Sequence, residues 1–378
     1  MAIEQFRMER YQSLHWHAVD YDLSESGVTA MTISELIGLD ADADADRFVA
    51  AQLGYPLSEG SLETRSAVAS WYPNATAANV TMVNGGSEAN FLSLWSLLEP
   101  GDRLAFMVPN YMQGWGLGPA FGAASDAVRL RMYDGRWQLD LDELQDAVTE
   151  RTKAVMICNP NNPTGHVLSE HEISEVVRAA DRVGAWIVAD EIYRGAELDT
   201  DNDSPTFFGR YERVIVTSGL SKAFAMPGLR VGWVVAPPET IGRIWERHDY
   251  TTLTPSIVGD RLTAIAMQPD VRERILTRTR SIVRTNYPSL EEWLRTHDDI
   301  LRWVKPAAGA ISYAVFELPV ESFELVERIR RERSVLLVPG DMFGLAKGLR
   351  FGFGFDIDHT MKGLSLVDDV LAEVAVGR

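Results

Sequence analysis

The chain has very little cysteine, a deficit of basic residues and no long apolar run. Its 378 residues include one cysteine, Cys158, so no disulfide can form within a single copy. Lys and Arg number 36 against 54 Asp and Glu, which gives a net charge of −18. Because nucleic acids and anionic membranes bind basic surfaces, this balance argues against either as a partner.

The N-terminus also lacks the features of a targeting segment. MAIEQFRMERYQ carries charges throughout, unlike a signal peptide, and no apolar stretch reaches the length of a membrane span. We therefore predict a cytoplasmic protein without a membrane partner. Cys158, in the apolar run TKAVMICNP, is interpreted as a buried, unreactive thiol. The DADADAD run from Asp40 lacks the glycine and glutamate of a calcium loop, so we interpret it as an acidic connector and expect no metal site.

Short apolar runs alternate with amphipathic segments in the first two thirds of the chain. Six runs predict strands: VTMV, RLAFMVP, AVMICNP, AWIVADE, RVIVTS and VGWVVAP. They are continuous rather than alternating, as is typical of strands covered on both faces. Between them, SEHEISEVVRAADRVG predicts a helix with a capping box at Ser169 and Glu172. This alternation indicates an α/β fold with a mostly parallel sheet.

From about residue 270 long charged helices precede the hairpin-like runs AISYAVFEL and LRFGFGFD. We predict a large domain over residues 46–270 and a smaller α+β domain over residues 271–378. Residues 1–45 are expected to join the small domain and to cover the active site, whose candidate residues are described below.

Polar residues follow several of the predicted strands. NGGSEAN is a strand-to-helix turn whose free backbone amides, at Ser87 and its neighbours, are suited to an anion. It matches neither GxGxxG nor the P-loop, so it does not predict nucleotide binding. NPNNPTG holds Asn162 between prolines, where its amide can donate to a ligand. Asp190 ends a strand, where ligands of open α/β sheets bind. Taken singly, these features are also compatible with turns, packing residues and a structural ion pair.

Lys222 lies in SGLSKAFAMPGLRVGW, just beyond the apolar run RVIVTS. Lysines in such settings act as bases or form Schiff bases. An anion-binding helix end, an aromatic residue (Tyr111), an amide, a carboxylate and an amine together suit one ligand. Pyridoxal 5'-phosphate (PLP) has a phosphate, a flat ring, a phenolate oxygen, a pyridinium nitrogen and an aldehyde.

The motifs GGSEAN, NPNNPTG, DEIY and SKAFAMPGLRVGW, in this order, resemble those of the fold-type-I, class I/II aminotransferases. The resemblance runs from about Tyr55 to Arg350. It implies a large domain whose sheet is sandwiched by helices, a smaller α+β domain, PLP as cofactor and a free amino acid as substrate. It also implies a homodimer with shared active sites.

The resemblance further implies a role for each matching residue. At the cofactor ring these are Lys222 as Schiff-base lysine and base, Asp190 at the ring nitrogen, Asn162 and Tyr193 at the phenolate oxygen, and Tyr111 stacked on the ring. At the phosphate they are the backbone amides of Ser87 and Glu88, the side chains of Ser221 and Arg230, and Tyr55 from the neighbouring subunit. Arg350, with Asn162 beside it, would bind the substrate carboxylate.

The reaction is left open between two alternatives. Since aminotransferases dominate the family, transamination is the first expectation. However, MERYQSLHWHAVDYDLSESGV is similar to the opening segment of capreomycidine synthases, PLP enzymes that cyclise a hydroxylated arginine. That similarity implies that Glu9 binds a guanidinium or protonates a leaving hydroxyl, so that the enzyme is a cyclase or lyase. Otherwise Glu9 is a residue on a helix surface.

Overall fold

The computed structural model describes residues 3–40, 45–50 and 52–376; residues 41–44 of the DADADAD run lie outside this part. The strands are β1 Tyr21–Asp22, β2 Val80–Val83, β3 Arg103–Val108, β4 Ala124–Tyr133, β5 Arg136–Leu139, β6 Thr152–Cys158, β7 Trp186–Asp190, β8 Val214–Gly219, β9 Gly232–Val235, β10 Leu301–Trp303, β11 Ile311–Phe316, β12 Val335–Leu336, β13 Val338–Pro339 and β14 Leu349–Gly352. The helices are α1 Arg7–His15, α2 Ile33–Gly38, α3 Ala45–Val49, α4 Leu62–Ala69, α5 Gly86–Leu97, α6 Gln113–Ala120, α7 Leu141–Ala147, α8 Glu170–Val183, α9 Pro238–His248, α10 Ile257–Ala266, α11 Pro269–Arg295, α12 Ser322–Arg333 and α13 Ile357–Val376.

An eight-stranded sheet forms the centre of the fold, in the order β2-β9-β8-β7-β6-β3-β4-β5. The five strands β8, β7, β6, β3 and β4 are mutually parallel, and β9 runs antiparallel to β8. All six predicted strands are present, and β2, β8 and β9 are buried along their whole length. Continuous burial explains why their sequences are apolar without alternation.

Two strands of this sheet were not predicted. β4 and β5 pair antiparallel to each other at one edge, where β4 is only partly buried. β4 pairs with β3 and β5, and β5 forms the edge. The sequence of β4, ASDAVRLRMY, mixes charged and apolar residues and therefore lacks the continuous apolar run that indicates a strand buried on both faces.

Helix α8 confirms the predicted capping box. Ser169 Oγ accepts from the backbone of Glu172, and the Glu172 carboxylate accepts from the backbone of Ser169. Gly184 ends the helix in the left-handed conformation with φ +67°. In contrast, the long charged region after residue 270 forms one helix, α11, which continues through Pro288. Its apolar face is buried on both sides of Pro288, so tertiary packing outweighs the local cost of proline.

A four-stranded sheet, β10-β11-β14-β13, follows α11, and the predicted runs AISYAVFEL and LRFGFGFD form its antiparallel strands β11 and β14. The N-terminal segment lies beside it, because β1 pairs with β12. Beyond β1, the amide of Gly352 donates to the carbonyl of Leu23. These contacts place residues 21–29 between the small sheet and the carboxyl ends of the large one.

Within the described ranges, no helix combines the length and apolarity needed to cross a membrane. Cys158 is buried and unpaired, and burial raises the pKa of its thiol, so it is kept in the neutral form.

Candidate active site

The candidate site lies at the carboxyl ends of β6, β7 and β8. NPNNPTG follows β6, Asp190 is the last residue of β7, and Lys222 lies three residues after β8. Since these strands are parallel neighbours, their polar residues reach the same edge of the sheet.

Asp190 is held by a chain of buried hydrogen bonds. Asn90 Nδ2 donates to Asp190 Oδ2 at 2.8 Å, and Thr217 Oγ1 donates to Asn90 Oδ1 at 2.6 Å. The amide of Ile192 donates to Asp190 Oδ1 at 3.1 Å. Burial raises the pKa of Asp190, while the hydrogen bond from Asn90 and the charge of Lys222 oppose that rise. Asn90 and Thr217 were missed; the signal for Asn90 was that it is the one side-chain amide in α5, three residues beyond Ser87.

Lys222 is half-buried under the N-terminal segment. A Cβ at Gly27 would lie 3.9 Å from Lys222 Cδ and 3.4 Å from the carbonyl oxygen of Ser221. Burial lowers the pKa of the Lys222 amine, opposed mainly by the carboxylate of Glu25 and further by that of Glu9. Lys222 is therefore closer to a neutral, proton-accepting amine than an exposed lysine is.

The N-terminal end of α5 forms a cradle with Arg230. Gly85 has φ +91°, and a Cβ there would lie 2.7 Å from Arg230 Nη2. A Cβ at Gly232 would lie 2.4 Å from the Gly85 carbonyl carbon, so both positions require glycine. The guanidinium of Arg230 thus rests against the turn that presents the free amides of α5. Ser87 Oγ lies 3.3 Å from Tyr111 Oη.

Two of the residues expected at the phosphate, Glu88 and Tyr55, have contacts or exposure that the sequence did not predict. The amide of Glu88 is in the first turn of α5, but its carboxylate points to the segment around residues 248–252. Tyr55 is 86% exposed and is not brought to the cluster within one chain. Ser221 is half-buried next to Lys222.

Arg350 and Asn162 lie together on the other side of Lys222. Arg350 is 1% exposed, and its Nη1 donates to Asn162 Oδ1 at 2.9 Å. Its Nη2 donates to the carbonyl of Ser24, while the buried Nε has no partner among the described residues. Tyr193 is also buried, and that burial raises the pKa of its phenol while the charge of Arg350 opposes the rise.

Helix α1 brings Glu9 into the same cluster. Tyr111 Oη donates to Glu9 Oε1 at 2.8 Å, and the Phe6 ring contacts the Tyr111 ring edge-on with centroids 4.8 Å apart. Burial and the Glu9 carboxylate raise the pKa of Tyr111, so its phenol stays protonated at neutral pH. Glu9 therefore contacts a residue of the candidate site. It does not lie on the solvent-exposed face of a surface helix.

These groups fit PLP. The cradle of α5 and Arg230 suits a phosphate, the buried Asp190 carboxylate suits a protonated ring nitrogen, and Lys222 supplies an amine. The unpartnered Nε of Arg350 leaves a buried donor for a carboxylate. Each polar group of the cofactor and of an amino acid substrate thus has a complementary group here.

Comparison with known proteins agrees with this fit. The model of the family "Aminotransferase class I and II" matches residues 50–362. Capreomycidine synthase of Streptomyces vinaceus is 30% identical over 362 residues, covering 94% of this chain and 91% of that protein. A PLP-dependent aminotransferase from Streptococcus suis superposes with a TM-score of 0.91 at 28% identity, covering 99% of both chains. The PLP-dependent cyclase OrfR superposes with a TM-score of 0.88, also at 28% identity, covering 99% of this chain and 98% of that one.

The chain belongs to the class I and II aminotransferase family. It is a PLP-dependent enzyme with the fold-type-I architecture, so the predicted fold class and cofactor are confirmed. Its relatives include both aminotransferases and cyclases, as the two alternatives from the sequence anticipated.

Proposed function

We propose that this enzyme removes a side-chain hydroxyl from a hydroxyarginine-type amino acid, by elimination that leads to cyclisation. The observation that carries the proposal is the hydrogen bond between Tyr111 Oη and Glu9 Oε1, 2.8 Å long, in the crevice of Lys222. Transamination needs one base at Cα. Loss of a hydroxyl needs a second proton-transfer group, and Glu9 with Tyr111 supplies one.

PLP would supply an electron sink for a substrate bound through its amino group, which makes the proton on Cα acidic. In the proposed site Ser87, Glu88 and Ser221 would hold the phosphate together with Arg230. Asp190 would hold the ring nitrogen, Asn162 and Tyr193 would bind the phenolate oxygen, and Tyr111 would contact the ring. Arg350 binds the substrate carboxylate with its fork of donors.

Two protons move in the proposed reaction. The Lys222 amine, whose pKa burial lowers, takes the proton from Cα. The electron pair released at Cα expels the hydroxyl, and a proton from the Glu9–Tyr111 pair lets it leave as water. A guanidine nitrogen of the substrate then adds to the carbon that lost the hydroxyl and gives up its proton, while the proton held by Lys222 returns to Cα. The cyclised product is therefore the substrate less one water.

Acidic groups of the N-terminal segment support a cationic substrate. Glu25 and Glu9 both act electrostatically on Lys222 and on Arg350. Asp22 is half-buried beside them, and burial raises the pKa of its carboxyl. A guanidinium side chain would meet carboxylates on this wall, whereas an aspartate side chain would be repelled. The similarity to capreomycidine synthase points in the same direction.

Transamination is the second candidate, favoured by the family match and by the Streptococcus suis aminotransferase. Lys222 alone would serve both proton transfers of that reaction, and Glu9 would then contribute only to substrate binding.

The same proposal includes a homodimer in the cytoplasm, with a large domain over residues 46–270, a small domain over residues 271–378 and residues 1–45 over the site. Tyr55, 86% exposed, is then available to a partner's phosphate site. The buried free Cys158 is compatible with a reducing compartment.

The test separates the two proton transfers in a Glu9→Gln variant. With a hydroxyarginine in deuterium oxide, we expect Cα–hydrogen exchange to persist, because Lys222 is intact. Formation of the dehydrated product should fall about a hundredfold or more. Nuclear magnetic resonance follows both signals in one sample.

Glu4→Gln is the matched control, since Glu4 is an exposed glutamate of the same segment. It should change neither rate, and Lys222→Ala should abolish both. If Glu9→Gln forms product at the wild-type rate, Glu9 is not the second proton-transfer group and the elimination proposal loses its support.

A further inference from the structure

The carboxylate of Glu88 contacts a network that the proposed chemistry does not use. Glu88 is the third residue of α5, whose first amides belong to the phosphate cradle. Its oxygens accept from Thr251 Oγ1 at 2.6 Å and from Thr252 Oγ1 at 2.8 Å. They also accept from the amide of Asn84 at 2.6 Å and lie 3.5 Å from His248 Nε2. We call these five residues the Glu88 clamp.

One residue of the clamp, His248, is fully buried, and the clamp lowers the pKa of the Glu88 carboxyl. His248 is fully buried at the end of α9, and its Nε2 lies 3.0 Å from Thr252 Oγ1. Burial alone would raise the pKa of Glu88, but the hydrogen bonds from His248, Thr251, Asn84 and Thr252 outweigh it and lower the pKa to about 2. Glu88 is therefore a fixed negative charge at neutral pH.

Backbone hydrogen bonds join residues 249–253 to the end of α9, and the clamp attaches the loop formed by residues 249–255 to the start of α5. Tyr250 is 83% exposed and Leu253 is 44% exposed, so little apolar burial holds the loop. Tyr250 makes one edge-on ring contact with Trp95 at 6.3 Å. By contrast, Asn84 Nδ2 donates to Thr252 Oγ1 at 2.6 Å and to the Thr254 carbonyl at 3.0 Å. Side-chain contacts that tie this loop to the large sheet therefore come mainly from the polar groups of the Asn84–Glu88 turn.

The same turn shapes the phosphate cradle. Asn84 precedes Gly85, whose φ of +91° and contact with the Arg230 guanidinium set the direction of the free amides. Any movement of Asn84 that follows release of the loop would move these amides too. Conversely, an anion bound to these amides would fix the Asn84–Glu88 turn. The turn would then fix the 249–255 loop through the clamp.

We propose that the Glu88 clamp couples the order of the 249–255 loop to binding of the PLP phosphate at the start of α5. Glu88 is a positioning residue: its amide belongs to the proposed phosphate site, and its carboxylate acts through the turn and the loop. Coupling between two sites is reciprocal. If an ordered loop lowers the PLP dissociation constant by some factor, then bound PLP should favour the ordered loop by the same factor. The inference rests on the proposed phosphate site but not on the proposed reaction.

The experiment uses two readouts on the full-length protein, with and without PLP. Hydrogen exchange reports order in residues 249–255, and an absorbance titration gives the PLP dissociation constant. Glu88→Ala and Thr252→Val should each speed exchange in the loop and raise the dissociation constant, by about tenfold for Glu88→Ala. PLP should slow exchange in the wild-type loop and have a smaller effect in both variants.

Two further variants keep the outcomes distinct. Glu239→Gln, a change of an exposed first-turn glutamate in α9, should alter neither readout. Arg230→Ala should weaken PLP binding without loosening the loop in the PLP-free protein. If Glu88→Ala and Thr252→Val loosen the loop but leave PLP affinity unchanged, the coupling is overturned. If Arg230→Ala also leaves PLP affinity unchanged, the proposed phosphate site fails instead.

Discussion

At the scale of single residues, burial sets the chemistry of the site. Asp190 is buried and Lys222 is half-buried, and in each case burial shifts the pKa in the direction that favours the neutral form. For Asp190 the hydrogen bond from Asn90, which Thr217 fixes in direction, opposes this rise in pKa, together with the amide of Ile192 and the charge of Lys222. The carboxylate that would keep the ring nitrogen protonated thus depends on Asn90 and Thr217, which are not among the residues proposed to contact the cofactor.

Asn90→Ala tests that dependence. It removes the donor to Asp190 Oδ2, so burial should raise the pKa of Asp190 further and weaken its pairing with the cofactor. We expect the PLP dissociation constant to rise about tenfold, about 1.4 kcal/mol, as measured by absorbance titration.

Ser96→Ala is the control on the same helix, because Ser96 only donates to the Leu92 carbonyl one turn earlier. It should leave PLP affinity unchanged. Equal affinity in Asn90→Ala and wild type would contradict the role assigned to Asn90.

Some residues of the site follow from local sequence and others do not. Asp190 ends an apolar strand, and Lys222 and Asn162 follow apolar strands within four residues, so their position at one sheet edge follows from strand order. Asn90 lies in mid-helix and Glu25 in an irregular segment that reaches Lys222 from the far end of the chain. Their proximity depends on tertiary packing, which no short motif encodes.

At the scale of elements, capping glutamates stabilise helix starts. Glu172 accepts from the backbone of Ser169 and, across the fold, from the amide of Leu139 at 2.8 Å. Burial would raise the pKa of Glu172, but the contacts with His166, Leu139 and Ser169 lower it from 4.5 to about 2. One side chain thus joins α8 to β5.

This shift predicts a pH-dependent stability. Because the folded pKa lies below the ordinary value, the stabilisation from ionised Glu172 is complete above about pH 4.5 and is lost as pH falls toward 2. Glu172→Gln should reduce the free energy of unfolding by about 2 kcal/mol at pH 7. Urea unfolding should show this difference shrinking between pH 5 and pH 3.

Glu324→Gln is the matched control, a change of an exposed first-turn glutamate in α12. It should have little effect at any of these pH values. A loss in Glu172→Gln that is as large at pH 3 as at pH 7 would contradict the assigned pKa.

The elements themselves were predictable where one periodicity dominates. Continuous apolar runs indicated β6, β7 and β8, and capping residues indicated α8. Strands β4 and β5, at one end of the sheet, were not predicted, since their mixed sequences contain no continuous apolar run. The continuity of α11 through Pro288 was also missed, because packing on both sides of the proline decides it.

At the scale of the whole molecule, an acidic protein contains a locally cationic site. The net charge is −18, yet Lys222, Arg230 and Arg350 lie around one crevice. The N-terminal segment brings carboxylates back to it and is anchored outside the site, since Tyr11 Oη donates to Glu327 Oε1 at 2.9 Å. Positive groups for phosphate and carboxylate thus adjoin negative groups suited to a guanidinium.

The proposed homodimer predicts complementation between inactive variants. If Tyr55 completes the partner's site, then Lys222→Ala and Tyr55→Ala are each defective, but a mixed dimer has one intact site. Random exchange of subunits should restore roughly a quarter of wild-type activity. Chromatography with light scattering would show the dimer directly. No recovery in the mixture would mean that Tyr55 does not act across subunits.

The most direct test of the central claim is the fate of the substrate's α-nitrogen. A hydroxyarginine isotopically labelled at the α-amino group is incubated with the PLP-loaded enzyme and an unlabelled keto acid, and the products are identified by mass spectrometry. The account predicts that the label stays in a cyclised or dehydrated product that has lost one water. Label transferred to the amino acid formed from the keto acid, with the hydroxyl retained, would contradict the account and identify an aminotransferase.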